Sequence, residues 1–178
     1  IETLLMLTNN PPMLGFCAYS GTGKTTLLKS LIPILRERGV KIGIIKHAHH
    51  QFDIDQPGKD SYELRKAGAS EIIVSSSKRW ALVHECNQKK KEPTLEDLLL
   101  HLSLSELDLV LVEGFKHAQL TKIEIHRPSL GKPFLFPKDS SIIAIAMDEI
   151  PTKLIKLPIL DLNNFNQISE FITQKFLK

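Results

Sequence analysis

The stretch Met13-Leu14-Gly15-Phe16-Cys17-Ala18-Tyr19-Ser20-Gly21-Thr22-Gly23-Lys24-Thr25-Thr26-Leu27-Leu28 decides the fold. Met13 to Ala18 is a compact apolar run, the pattern of a strand buried on both faces. Tyr19 to Gly23 is a glycine-bearing loop. Lys24 to Arg38 reads as a helix, with Leu27, Leu28, Leu31, Ile34 and Leu35 on one stripe. Pro33 should bend that helix and Gly39 should end it. Ile42 to Lys46 is a second apolar run. Strand, glycine loop, helix, strand is one βαβ unit. It sets the loop between the C-terminal end of a strand and the N-terminus of a helix.

Such a junction suits phosphate. Residues 18–25 follow the pattern G-x-x-x-x-G-K-[ST], with Ala18 in place of the first glycine. Gly21 and Gly23 lack side chains, so successive backbone N–H groups can converge on phosphate oxygens. The helix N-terminus adds the positive end of its dipole. Lys24 supplies a cation to the β- and γ-phosphates, Thr25 a hydroxyl ligand for Mg²⁺, and Thr26 lies behind it. The candidate nucleotide-binding residues here are Ser20, Gly21, Thr22, Gly23, Lys24, Thr25 and Thr26, with Lys24 also a catalytic candidate.

A phosphate loop of this kind works with a metal-facing carboxylate on a neighbouring strand. Leu107 to Val112 is strongly apolar and leads to Glu113 at the end that faces the ligand crevice of a doubly wound sheet. Glu113 is therefore the Mg²⁺ partner and a catalytic candidate. Asp108, the rival carboxylate, lies at the strand start, on the opposite edge. Gly114 would let the following backbone approach the γ-phosphate. Position 19 is Tyr, not the additional lysine of partition-type ATPases, which disfavours that subgroup. An Asn-Lys-x-Asp guanine motif is absent; the nearest candidate is Ala146-Met147-Asp148, after the apolar run 142–147. The Asp148 carboxylate can accept hydrogen bonds from guanine N1 and N2; it reads equally well as a turn aspartate capping the strand.

Composition narrows the class. With 178 residues, 42% hydrophobic and 24% charged, the chain suits one domain with a sizeable core and is not disordered. A net charge of +3 gives no argument for nucleic acid or a membrane surface. Two cysteines, Cys17 and Cys86, exclude a disulfide-rich scaffold and a cysteine-based zinc site, and fit a cytoplasmic protein. No apolar run approaches the ~20 residues that span a bilayer. Residues 1–12 lack a positive n-region and a small-residue cleavage pattern, so they read as an extension rather than a signal peptide. Residues 13–178 then read as a single nucleotide-binding domain.

The rest of the chain alternates. Residues 47–60 are a polar loop, and Asp60 or Ser61 would cap a short helix ending at Ala67-Gly68. Glu71 to Ser75 and Trp80 to His84 read as two strands, and Thr94 opens a helix reaching about Leu102. Lys122 to His126, Phe134 to Phe136, Ile142 to Met147 and Ile159 to Leu162 are further strand candidates. The C-terminal helix carries Phe165, Ile168, Phe171, Ile172 and Phe176 on one face, for core packing. The expected architecture is a three-layer α/β/α fold of the P-loop NTPase type: a mostly parallel, doubly wound sheet with additional strands. The segments 71–84 and 122–136 are the suspected edge strands for self-association.

Taken together, Ser20 to Leu28, Ile45-Lys46-His47 through His50, Pro57 to Ala69, Arg79-Trp80-Ala81-Leu82 and Leu111-Val112-Glu113-Gly114-Phe115-Lys116 resemble the MobB family, the bacterial molybdopterin-guanine dinucleotide biosynthesis adapter proteins. The resemblance covers roughly residues 12–175 and is far more specific than the glycine loop alone. It implies a homodimeric GTP-binding P-loop protein with slow GTPase activity. It also implies, as partner, a MobA-like guanylyltransferase that joins GMP to molybdopterin. His47, His49 and His50, with Asp53 and Asp55, then follow the second strand at the crevice edge, as transition-metal ligands, as contacts to an anionic ligand, or as a solvated polar loop. Asp60 reads as an N-cap or, as we prefer, a residue of the nucleotide site acting on Mg²⁺ through water. Arg65, Lys66, Arg79 and Lys116 read individually as solvated charges, as do Lys89-Lys90-Lys91.

The leading expectation is a GTP-binding adapter with bound Mg²⁺ and slow hydrolysis, since the sequence shows neither a water-orienting glutamine nor an assignable arginine finger. The rival is an ATP-dependent small-molecule kinase, with Asp53, Asp55 or Asp60 as general base. A scaffold that has lost nucleotide binding is the third reading.

Overall fold

The structure, a computed structural model, describes residues 10–48, 52–86, 92–115, 118–149, 151 and 154–177. They form two compact units, one comprising residues up to His47 together with Leu95 onwards, the other Ala48–Thr94.

The first unit holds β1 (Met13–Cys17), α1 (Lys24–Glu37) and β2 (Ile42–Lys46), the βαβ unit that the opening stretch dictates. Leu27, Leu28, Leu31 and Leu35 of α1 are buried, one leucine stripe at helical spacing, and Pro33 sits exposed within the helix. Then follow α3 (Leu95–Leu99), β5 (Leu109–Glu113), β6 (Lys122–His126), β7 (Ile142–Met147), β8 (Ile159–Asp161) and α4 (Phe165–Phe176). The six strands form one sheet in the order β2-β5-β1-β6-β7-β8, and every pairing in it is parallel. Parallel strands joined through helices put all their C-terminal ends on one edge, which is where the glycine loop leaves β1.

Alternate strand residues divide into two layers. Leu14, Phe16, Leu109, Leu111, Ile123, Ile125, Ala144, Ala146 and Leu160 pack with the buried faces of α1 and α4. On the other face Ile45, Val110, Val112 and Leu120 pack with Leu95, Leu98 and Leu99 of α3. The chain is therefore α/β, with helices on both faces of a parallel sheet. Asp108, at the start of β5, accepts the Lys41 amide at 2.7 Å and tethers the edge opposite the loop.

Three sequence expectations change. The expected strand Phe134–Phe136 is absent; a 3-10 turn spans Phe136–Lys138 instead. Pro133 and Pro137 flank the segment, and the amides of Leu135 and Phe136 donate to the Glu124 carboxylate at 2.8 and 2.9 Å rather than to a ladder. Secondly, β6 lies between β1 and β7, both of its sides paired, so it offers no edge for self-association. Thirdly, neither Asp60 nor Ser61 caps the helix that follows residues 47–60; Lys59 holds the N-cap position without a side-chain bond.

That helix, α2 (Asp60–Lys66), belongs to the second unit with β3 (Glu71–Ser75) and β4 (Trp80–His84), an antiparallel pair forming a separate two-stranded sheet. Its organising group is Arg65, whose side chain is only 8% exposed and pairs with Asp53, Asp55 and Glu85. Glu85 first, then Asp53, raise the Arg65 pKa against the opposing effect of burial. Arg65 is thus an internal tie of this unit, not the solvated surface charge its isolated position suggests.

Candidate nucleotide site

The loop between β1 and α1 is preshaped. Gly21 and Gly23 take φ of 80° and 97°, left-handed values that a side chain would disfavour. A Cβ placed at Gly21 would meet nothing within 4 Å. Thr22 is buried, and both its amide (3.5 Å) and its hydroxyl donate to the Tyr19 carbonyl, closing the loop on itself. Lys24 reaches back along the loop, its Nζ donating to the Ala18 carbonyl at 3.4 Å. Thr25 and Thr26 are exposed at the first turn of α1. Ala18 explains its own departure from the glycine pattern: no described non-glycine residue has positive φ, so the position needs no glycine, and the methyl is buried in the core.

Parallel register brings Glu113 beside this loop. Phe16 of β1 is paired with Glu113, and Lys46 of β2 flanks it on the other side. The Lys46 Nζ lies 3.5 Å from the Glu113 carboxylate, which is 12% exposed. Glu113 therefore sits at the crevice edge with a cation already facing it, a partner that reading β5 alone misses. The next residue, Gly114, has φ of 98°, and a Cβ there would lie 2.8 Å from the Cβ of His47 and 3.1 Å from its carbonyl oxygen. The close approach that this glycine permits is to His47, whose amide donates to the Glu113 carbonyl at 2.8 Å and whose ring meets Phe115 edge-on.

Two residues distant in the sequence meet further along the same edge. Arg127 immediately follows β6 and Asp148 immediately follows β7. The Arg127 Nε donates to the Thr22 carbonyl at 2.9 Å, and another guanidinium nitrogen pairs with the Asp148 carboxylate. The second carboxylate oxygen of Asp148, Oδ1, is buried with no hydrogen-bond partner. Asp148 is not simply a strand cap, and Arg127 was not among the sequence candidates. A hollow of about 840 Å³ opens at the ends of β7 and β8, lined by Met147, Asp148, Asp161, Asn163 and Gln167 among others.

Below this edge, β6 carries a buried polar row. Lys122 pairs with Asp139 at 3.1 Å and with the Ser141 hydroxyl at 2.9 Å, Glu124 caps the 134–136 segment, and the His126 ring stacks on Phe134 at 3.9 Å. Burial raises the Glu124 pKa against the pull of the two amides, and burial lowers that of His126 against the nearby Asp148. Burial, helped by Glu124, pushes the Cys17 thiol up to about 12. Cys17 is thus a packed thiol and not a nucleophile.

Asp60 is exposed in the first turn of α2, within the second unit. In that unit Asp53 and Asp55 are engaged by Arg65, and Asp55 also accepts the Ser61 hydroxyl at 2.9 Å. Arg79 is exposed and Lys66 lies over the Tyr62 ring. His49, His50, Lys89 to Lys91, Lys116 and residues 1–9 lie outside the described residues. Among the described residues no group of three or more His, Cys, Asp or Glu is placed to hold a metal ion, and no helix is long and apolar enough to cross a membrane.

The residues present fit a magnesium nucleotide. Two left-handed glycines, a lysine and a helix N-terminus make an anion cradle. Thr25 and Glu113 carry oxygen atoms of the hard type that Mg²⁺ would take, and the Asp148 Oδ1 lacks a donor.

Comparison with known proteins identifies the family. Residues 13–148 match the family model described as molybdopterin guanine dinucleotide synthesis protein B. The chain is 48% identical over 164 residues to the molybdopterin-guanine dinucleotide biosynthesis adapter protein of Escherichia coli, covering 92% of each chain. It is 39% identical over 172 residues to the adapter protein of Haemophilus influenzae, covering 97% of this chain and 93% of that one. A crystal structure of a molybdopterin-guanine biosynthesis protein B superposes with a TM-score of 0.73 at 26% identity, over 93% of this chain and 99% of the other.

Proposed function

Since the chain belongs to the molybdopterin guanine dinucleotide synthesis protein B family, we propose that it serves molybdopterin guanine dinucleotide biosynthesis as an adapter, binding Mg²⁺-GTP at the loop of residues 18–26. The observation that carries this reading is the preshaped loop: Gly21 and Gly23 in left-handed conformations with Lys24 folded over the Ala18 carbonyl.

In this reading Ser20 to Thr26 hold the phosphates through backbone N–H groups, and the Lys24 ammonium neutralises them. Thr25 and Glu113 would hold Mg²⁺, which would supply positive charge to the phosphates. Asp148 reads the base, because guanine N1 and N2 donate where adenine has no matching donors. Hydrolysis is slow, since no described side chain is assigned to orient the attacking water. The protein acts as a homodimer in the cytoplasm, and its partner is the MobA-like guanylyltransferase that it assists. Of the three candidate bases of the rival kinase reading, Asp53 and Asp55 are held by Arg65, which leaves only the exposed Asp60 for that role.

Calorimetric titration with GTP and ATP, with and without Mg²⁺, tests the reading. GTP should bind in preference to ATP. Lys24→Ala should weaken GTP by about 10–100-fold, the worth of a charge-assisted phosphate contact. Unchanged GTP affinity in Lys24→Ala would refute it.

A further inference from the structure

We infer that Arg127 is the positioning and specificity-determining residue of this site: one guanidinium sets the direction of a phosphate-loop N–H and, with its other edge, holds the base-reading carboxylate of Asp148. The inference rests on the nucleotide reading above and deepens it.

Its first arm follows from peptide geometry. The Thr22 carbonyl and the Gly23 N–H belong to one planar trans unit and point in opposite directions. Arg127 Nε donates to that carbonyl at 2.9 Å, so it pins the unit and turns the Gly23 N–H away from itself. The Arg127 guanidinium lies 3.6 Å from where a Gly23 Cβ would be. A glycine with φ of 97° is free to flip its peptide, and Arg127 removes that freedom at the residue preceding Lys24.

The second arm runs to Asp148. The ion pair occupies Oδ2 and leaves Oδ1 buried and unpartnered. Asp148 is 17% and Arg127 32% exposed, so the pair is shielded enough to hold a fixed geometry. Two forked donor directions from one planar group are needed for both tasks. A lysine, a point charge on a flexible stem, cannot perform both at once.

The test uses the full chain and Arg127→Lys, Arg127→Gln, Asp148→Ala and the double variant Arg127→Lys/Asp148→Ala. Each is titrated with Mg²⁺-GTP, Mg²⁺-ATP and inorganic tripolyphosphate, and its Tm is measured. Tripolyphosphate and GTP affinity should each fall about tenfold or more in both Arg127 variants, the scale of one lost charge-assisted bond. The GTP:ATP ratio should fall to that of Asp148→Ala, and no further in the double variant, because one device is removed twice. If both Arg127 variants keep tripolyphosphate affinity and the GTP:ATP ratio, the inference falls while the GTP reading stands. If both lose affinity only in proportion to a lowered Tm, Arg127 is a structural staple and the inference is likewise overturned. A wild-type chain indifferent to GTP and ATP overturns the guanine reading and the specificity arm with it.

Discussion

Gly114→Ala separates two costs that usually travel together. The residue has φ of 98°, and left-handed backbone disfavours a side chain by about 1–2 kcal/mol. The new Cβ would also lie 2.8 Å from the His47 Cβ and 3.1 Å from the His47 carbonyl oxygen. Neither neighbour is the end of a flexible chain, and the His47 amide is bonded to the Glu113 carbonyl at 2.8 Å, so relief means moving backbone. Overpacking of this kind adds about 1–3 kcal/mol. The sum is about 2–5 kcal/mol. Gly39→Ala supplies the control, since φ is 83° there and a Cβ would meet nothing within 4 Å. It should cost only the backbone part, about 1–2 kcal/mol. Equilibrium urea denaturation reads the difference directly: with m about 2 kcal/mol/M, the midpoint should fall by about 1–2.5 M for Gly114→Ala and about 0.5–1 M for Gly39→Ala. GTP affinity should drop only in Gly114→Ala, because the displaced backbone carries Glu113. Equal midpoints for the two variants would refute the steric half of the reasoning.

Glu124→Ala leaves the Leu135 and Phe136 amides without their buried acceptor and should cost about 2–4 kcal/mol, measured as a urea midpoint shift. A wild-type midpoint would show that water replaces the carboxylate. His126 offers a pH test. Burial holds its folded pKa below the ordinary histidine value of 6.5, so between those two values the unfolded chain binds the extra proton. Its contribution to stability is complete above 6.5 and is lost as pH falls through the folded value. The groups facing it are Glu124, 3.8 Å from Nδ1, and Asp148. His126→Phe keeps an aromatic ring on Phe134 and should flatten the fall in urea midpoint from neutral pH towards pH about 5; equal slopes in the variant and the wild type would assign that fall to other groups.

The fold was legible wherever local pattern and tertiary placement agreed. Met13 to Lys46 could be read because glycine chemistry, a leucine stripe and two apolar runs all require the same βαβ unit. Ile142 to Met147 and Phe165 to Phe176 were legible for the same reason, each being long and consistent in period. Phe134 to Phe136 failed because three apolar residues look like a strand while the amides of Leu135 and Phe136 belong to a side chain eleven and twelve residues upstream. The warning was present in Pro133 and Pro137, each of which removes a ladder donor. Arg65 failed differently. Three separated acidic residues, Asp53, Asp55 and Glu85, converge on it only once α2 and the end of β4 are brought together, and no spacing along the chain announces that.

The candidate site divides along the same line. Ser20 to Thr26 were legible as a glycine loop opening a helix because that geometry is local: two left-handed glycines, a helix end and the lysine that follows. Arg127 was not assigned there, nor was Lys46 as the partner of Glu113, since those roles depend on strand order. Yet a rule available from the sequence reaches them. In an all-parallel sheet every strand delivers its next residue to one edge. Applied strand by strand, it gives Ala18 after β1, His47 after β2, Gly114 after β5, Arg127 after β6, Asp148 after β7 and Leu162 after β8. Of those six, Arg127 and Asp148 alone are an ordinary cation and an ordinary carboxylate, on strands that the sheet order makes neighbours. Opposite charges delivered side by side to a ligand edge will pair unless something separates them, and the carboxylate has two oxygens where the cation takes one. The remaining oxygen is thus a property of topology rather than of any motif, which is why Asp148 stands out at a strand end although no Asn-Lys-x-Asp motif surrounds it.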